Sequence, residues 1–192
     1  SWECGRESGN PRSLCKSGAL RATLDNSGGL FSSLNVASDI YGLIKPGRLV
    51  RLTMQIGAGT HIVMWTGYLD SIIPNPGRIL SEATASLTAY GILSYVQGRN
   101  ALATIEEDIS TGDAIAAVLD SVDYPGSYDS VDAGQSTMPI YWPDYDVNVL
   151  VSLRDLEAAE CGFLLEDRLG NLAFEDRSHR INSPHTVSQA TF

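Results

Sequence analysis

The chain changes its hydrophobic period part-way along, and that change limits the folds open to it. In RLVRLTMQI (48–56), Val50, Leu52, Met54 and Ile56 alternate with Arg51, Thr53 and Gln55, the pattern of a strand with one buried face. GAG (57–59) then supplies a turn and THIVMWTGYLDSI returns, so 48–73 reads as a β-hairpin. SEATASLTAY alternates more strictly: Ala83, Ala85, Leu87 and Ala89 face in, while Glu82, Thr84, Ser86 and Thr88 face out. PNPG (74–77) between them is expected to be a turn, and GALRATLDN (18–26) to be a further strand ended by Ser27, Gly28 and Gly29.

After about residue 98 the period lengthens. STGDAIAAVLDSV offers Ser110 or Thr111 as an N-cap, Asp113 in the first turn, and Ile115, Val118, Leu119 and Val122 at helical spacing, ending before Pro125-Gly126. DVNVLVSLRDLEAAECG repeats the pattern with Leu150, Leu153 and Leu156 on one stripe and Gly162 as the residue after the C-cap. Between the helices, YPGSYDSVDAGQSTMPIYWPDYD reads as a connection containing a strand. The expected fold is therefore α+β: a small N-terminal antiparallel β-barrel or sandwich over 1–97, then an α/β domain with two helices and a β-hairpin over 98–192.

That last hairpin lies in GFLLEDRLGNLAFEDR (162–177), where Glu-Asp-Arg occurs twice. Asp167 and Gly170 at i and i+3 mark a type I turn, which keeps Glu166 and Glu175 from facing one another. A tighter Gly170-Asn171 turn would instead set the two glutamates opposite, at an electrostatic cost unless Arg168 or Arg177 relieves it. Either way the acids read as a solvated edge, since a glycosidase-type pair needs a cleft between its carboxyls.

The other candidates for chemistry are isolated. IEEDIS (105–110) holds Glu106, Glu107 and Asp108, but alternation puts at most two of them on one face, so solvation ahead of a helix is the expected role. His61, His179 and His185 stand apart from one another and from Cys4, Cys15 and Cys161 at any ligand spacing. Cys4 and Cys15 could close a short loop in an oxidising compartment; three buried or idle thiols is the simpler expectation. DNSGG (25–29) opens like a calcium loop without its later acids. Trp2, Trp65, Tyr141, Trp142 and Tyr145 could stack on a sugar, although core or interface packing is the commoner use. No catalytic, cofactor-binding or metal-ligating residues are therefore assigned, and no cofactor is expected. A net charge of −10 argues against nucleic acid or anionic lipid as a general ligand, and no apolar run approaches the ~20 residues of a spanning helix.

The order of several segments resembles a known family. Trp2, Gly5-Arg6, the Gly18–Ser32 stretch with Leu24-Asp25-Asn26 and Phe31-Ser32, Pro46-Gly47-Arg48 with Val50-Arg51, WTGYLDSIIP, and AECGFLLEDRLGNLAFEDRSHR are together similar to the minor tail or tail-hub proteins of long-tailed bacteriophages and prophages. The resemblance implies a small β-barrel followed by an α/β domain, assembled at the distal end of the tail tube, often as trimers, around a channel whose negative lumen lets DNA pass. It also implies a virion component put together in the host cytoplasm, with contacts to its own copies and to tail tube or distal tail proteins, and no enzymatic role for this region. Ser1 in place of an initiator Met, together with the uncapped end SPHTVSQATF, suggests a piece of a longer polypeptide cut before the domain's return strand. A carbohydrate- or receptor-binding β-domain is the alternative, and a tail-borne cell-wall hydrolase the third reading.

Overall fold

Alternating strands build the first of two units in the computed structural model, which describes residues 1–5, 14–32, 34–57, 59–79, 82–124, 130–143, 146–182, 184 and 186. The side chains of Trp2 and Cys4 lie outside that description, as do His185, Tyr145 and Pro125-Gly126. Unit 1 comprises Ser1–Cys4, Ser17–Ile92 and Arg168–Gly170; unit 2 comprises Gly5–Lys16, Leu93–Asp167 and Asn171–Phe192. The described residues are mixed α/β, with three α-helices and antiparallel sheets.

In unit 1, β1 (Trp2–Gly5), β2 (Lys16–Asp25), β3 (Leu49–Ile56), β4 (Thr60–Asn75) and β5 (Thr84–Tyr90) form one sheet in the order β1-β2-β5-β4-β3. Leu20, Trp65 and Ala89 are its buried centre, with Val50, Leu52 and Leu87 packed against them. Ala85 and Ala89 are fully buried, as their alternation predicts. Two bulges, between Leu52 and Thr53 on the β3–β4 ladder and between Leu69 and Ser71 on the β4–β5 ladder, bend the sixteen-residue β4 so that one half pairs with β3 and the other with β5. A Cβ on Gly67 would fall 2.3 Å from the Trp65 ring and 2.5 Å from the Tyr90 carbonyl; glycine there gives the indole its place in the core.

Among the described residues no ladder joins β1 to β3, so a closed barrel is not found; closure demands a consistent tilt and stagger that strand count does not supply. Two expectations for this half need correction. PNPG is not wholly a turn, since Pro74 and Asn75 end β4 opposite Ala85 and Thr84. Proline is tolerated there because the β3 ladder stops at Tyr68, leaving that side of Pro74 without a strand to bond. The Met54 and Ile56 end of β3, expected to be half-buried, is 46% and 52% exposed, because the core under the sheet reaches only as far as Leu52.

In unit 2, α1 (Ile92–Gln97), β6 (Glu106–Ser110), α2 (Thr111–Asp120), β7 (Thr137–Tyr141), α3 (Val149–Glu160), β8 (Phe163–Glu166) and β9 (Leu172–Glu175) follow in sequence, then a 3-10 turn at His179–Ile181. Strands pair as β6-β7 and β8-β9, and α2 packs on α3. Ile115, Val118, Leu119, Leu153, Leu164, Leu172 and Phe174 have no solvent exposure. Ser110 is the N-cap of α2: its Oγ accepts from the Asp113 amide at 3.2 Å and donates to the Asp113 carboxylate at 2.7 Å. Asn148 caps α3 through the Leu150 amide at 2.9 Å. α1 is the helix that sequence periodicity misses, six residues being too few to show a period.

The left-handed residue that ends α3 is Cys161 (φ 56°), not Gly162. Glycine is needed at 162 for space: a Cβ would sit 2.6 Å from the Glu175 carbonyl and 2.8 Å from the Phe174 ring. Gly112, inside α2, is tighter still, with a Cβ falling 2.1 Å from the Asp132 carbonyl. Alanine for glycine inside a helix normally gains about 1 kcal/mol. Here Gly112→Ala is expected to lose roughly 1–3 kcal/mol by overpacking, read as a lowered urea midpoint; a midpoint equal to or above that of the unsubstituted chain would show that the Asp132 backbone yields.

Candidate functional site

The polar groups of unit 2 gather where α3, β9 and the 131–136 segment meet. Glu160 falls on the same helical stripe as Val149, Leu153 and Leu156, so it is carried into the interior and has no solvent exposure. Gly134, at φ +85°, turns the chain so that two successive amides face the carboxylate: Gln135 N donates to Oε1 and Ser136 N to Oε2, each at 3.0 Å. The Thr111 hydroxyl lies 3.0 Å from Oε2, and Arg177 Nε 3.5 Å from Oε1. Burial alone would push this carboxyl up; the hydrogen bonds from Gln135, Ser136 and Thr111 outweigh it and hold the group below its ordinary range.

Glu157, one turn earlier and 4% exposed, accepts from the Leu164 amide at 2.9 Å and pairs with Arg154 at 2.5 Å; Arg154 also donates to the Cys15 carbonyl. Asp176 is buried as well, with the same balance of causes: burial pushes it up, and Gln135 Nε2 (2.8 Å) with the Ser178 hydroxyl and amide (2.7 Å each) brings it below the usual range. Asp132 accepts from the Asp176 amide at 3.0 Å and lies 2.6 Å from His179 Nδ1. Asp132, Gln135, Asp176, Ser178 and His179 line an open cavity of about 400 Å³.

The residues singled out from sequence are dispersed. Glu166 and Glu175 do not face one another: Glu166 is opposite Leu172, and Glu175 opposite Phe163. Asp167 is engaged in its own turn, accepting from the Asn171 amide at 2.7 Å, with Gly170 left-handed at φ +83°. The reading of both Glu-Asp-Arg runs as a merely wet edge is corrected. Glu166 reaches across the fold to accept from the Leu93 amide at 2.6 Å, at the start of α1. Glu175 pairs with Arg180 at 2.7 Å, and that guanidinium lies over the Phe163 ring.

Glu106 accepts from the Thr104 hydroxyl, while Glu107 and Asp108 are exposed. The ladder skips Asp108, whose φ is +51°. Asp25 and Asn26 in DNSGG hold the backbone of their own turn, accepting from the Ser27 and Phe31 amides. His61 is exposed on β4. Trp65 is buried and Trp142 is 55% exposed, so with Tyr141 they make no solvent-facing row. Burial pushes the Tyr141 hydroxyl up to about 12, and the Asp155 carboxylate adds to the effect. Cys15 is buried and Cys161 exposed; a link between Cys15 and Cys4 falls outside the described residues.

Chemically, these carboxylates are committed to protein donors. Among the described residues no group of three His, Cys, Asp or Glu could hold a metal ion. No protein-family model and no curated protein matches the chain. A solved structure does. The fold is similar to that of the 43 kDa tail protein of prophage MuSo2 from Shewanella oneidensis. The match has a TM-score of 0.51 at 14% identity and covers 90% of this chain and 48% of that one, so the chain spans about half the length of that tail protein. At such identity the likeness is one of fold.

Sequence reasoning misses Glu157, Glu160, Asp132 and Asp176. The available signal is the acid at 160, in step with an apolar helical stripe. A carboxyl held below its ordinary value stabilises the fold fully above that value, 4.5 for Glu160 and 3.8 for Asp176, and loses the contribution as pH falls through the lower folded value. Glu160→Gln is therefore expected to cost roughly 3 kcal/mol at neutral pH, and the gap from the unsubstituted chain to narrow as the solution is acidified. Urea titrations across the acid range check this; a gap that widens toward low pH would contradict it.

Proposed function

We propose that this chain is a structural part of a phage tail, the N-terminal region of a tail-hub or minor tail protein at the distal end of the tail tube, acting through contacts with its own copies and with tube or distal tail proteins. The observation that carries the proposal is the fold likeness to a prophage tail protein over 90% of the chain. The order of segments from Trp2 to Arg180 points the same way. So does the surface of unit 1, where Leu34 (88%), Val36 (74%) and Leu43 (56%) stand exposed in a region rich in turns, as befits a protein whose work is to meet neighbours. Unit 1 then serves as the barrel-like module, its open sheet completed by assembly. The sugar-binding alternative loses its main support with Trp65 in the core.

Antibody raised against the chain and bound to purified particles tests the proposal by electron microscopy. Label at the distal end of the tail is expected; label on the head, or none on particles whose tails are intact, would overturn it.

A further inference from the structure

Charge is divided unevenly between the two units. Unit 1 holds six Lys and Arg against five Asp and Glu, whereas unit 2 holds seven against eighteen, so the chain's negative charge resides in unit 2. Each unit also ends a sheet in an edge that is unpaired among the described residues. In unit 1 the sheet ends in β1 on one side and in β3, bonded to β4 alone, on the other; β3 is the edge that carries the charge. It exposes Leu49 (58%), Met54 (46%) and Ile56 (52%) beside exposed Arg48 and Arg51, neither of which has an ion-pair partner among the described residues. In unit 2, whose two sheets have two strands each, the acidic edge is β6, bonded to β7 alone, with Glu107 and Asp108 exposed next to Ile105 (68%). Glu107 pairs in register with Ile140, which is 55% exposed, as is Trp142. Both edges thus combine apolar side chains with charge, of opposite sign.

We infer that the β3 edge of one copy docks on the β6 edge of a second copy, apolar residues meeting apolar residues and Arg48 and Arg51 facing Glu107 and Asp108. The inference rests on the structural role proposed above and specifies its self-contact. Charge decides the pairing. A β3–β3 contact would set arginines against arginines and a β6–β6 contact acids against acids, and like charges across strands are destabilising. The unlike pair is attractive, and it is heterologous: each copy keeps one basic and one acidic edge, so the contact repeats until a ring closes or a filament grows. Being exposed, its charge component is screened over a Debye length of about 8 Å at physiological salt.

Sedimentation velocity on the chain and two exposed-site variants tests this. The unsubstituted chain is expected to self-associate at low ionic strength and to weaken at least tenfold in high salt. Arg51→Glu alone and Glu107→Arg alone should each lose tenfold or more in association while keeping the circular dichroism of the parent. An equimolar mixture of the two variants should associate again, since the acidic β3 of one then meets the basic β6 of the other. A parent that stays monomeric, an association indifferent to salt, or a mixture no better than its components would each overturn the inference. A monomeric parent found in tails would leave the functional proposal standing, and charge-dependent association of a chain absent from tails would leave only the contact.

Discussion

A carboxylate sealed from solvent organises the second unit. Leaving Glu160 buried without partners would cost far more than a helix of this length can offset, so the 131–136 segment has to arrive with its amides pointing inward. That requirement explains the glycine at 134, the closeness of Thr111, and the contact between the start of α2 and the backbone at Asp132 that forbids a side chain on Gly112. Glu157 does the same one turn earlier for the first strand of the hairpin. Both acids project from the buried face of one helix, and between them they fix two separate stretches of backbone, at 135–136 and at 164, together with the Thr111 hydroxyl.

What can be read from sequence follows from the range of the forces involved. Periodicity is local, and it locates β2 to β5, α2, α3 and the final hairpin, because alternation and the 3.6-residue stripe record which side meets the core. Caps are local too: Ser110 and the Asp167–Gly170 turn are visible because their partners lie within a few residues. Glu166 bonds to an amide 73 residues earlier, and Glu160 to amides 24 and 25 residues earlier. Nothing in the neighbourhood of either acid marks its partner, so both look like ordinary surface charge. α1 escapes notice through its shortness, and closure of the first sheet depends on how strands tilt and stagger, which no run of letters records.

Repetition in the chain also misleads about equivalence. The two Glu-Asp-Arg runs share their letters and little else. The first supplies a helix-start acceptor and a turn, the second an ion pair with Arg180 and a buried hub of hydrogen bonds at Asp176. The hairpin register separates them, setting each glutamate opposite an apolar residue.

The length of β4 has one more consequence. Because this single strand supplies the partner for β3 with its first half and for β5 with its second, neither ladder can open without disturbing the backbone of the other. Trp65 and Leu69, buried side chains of that same strand, belong to the stretch where the halves join. The two ladders are thus coupled through one backbone, so loosening of either is felt at β5, the strand between β2 and β4.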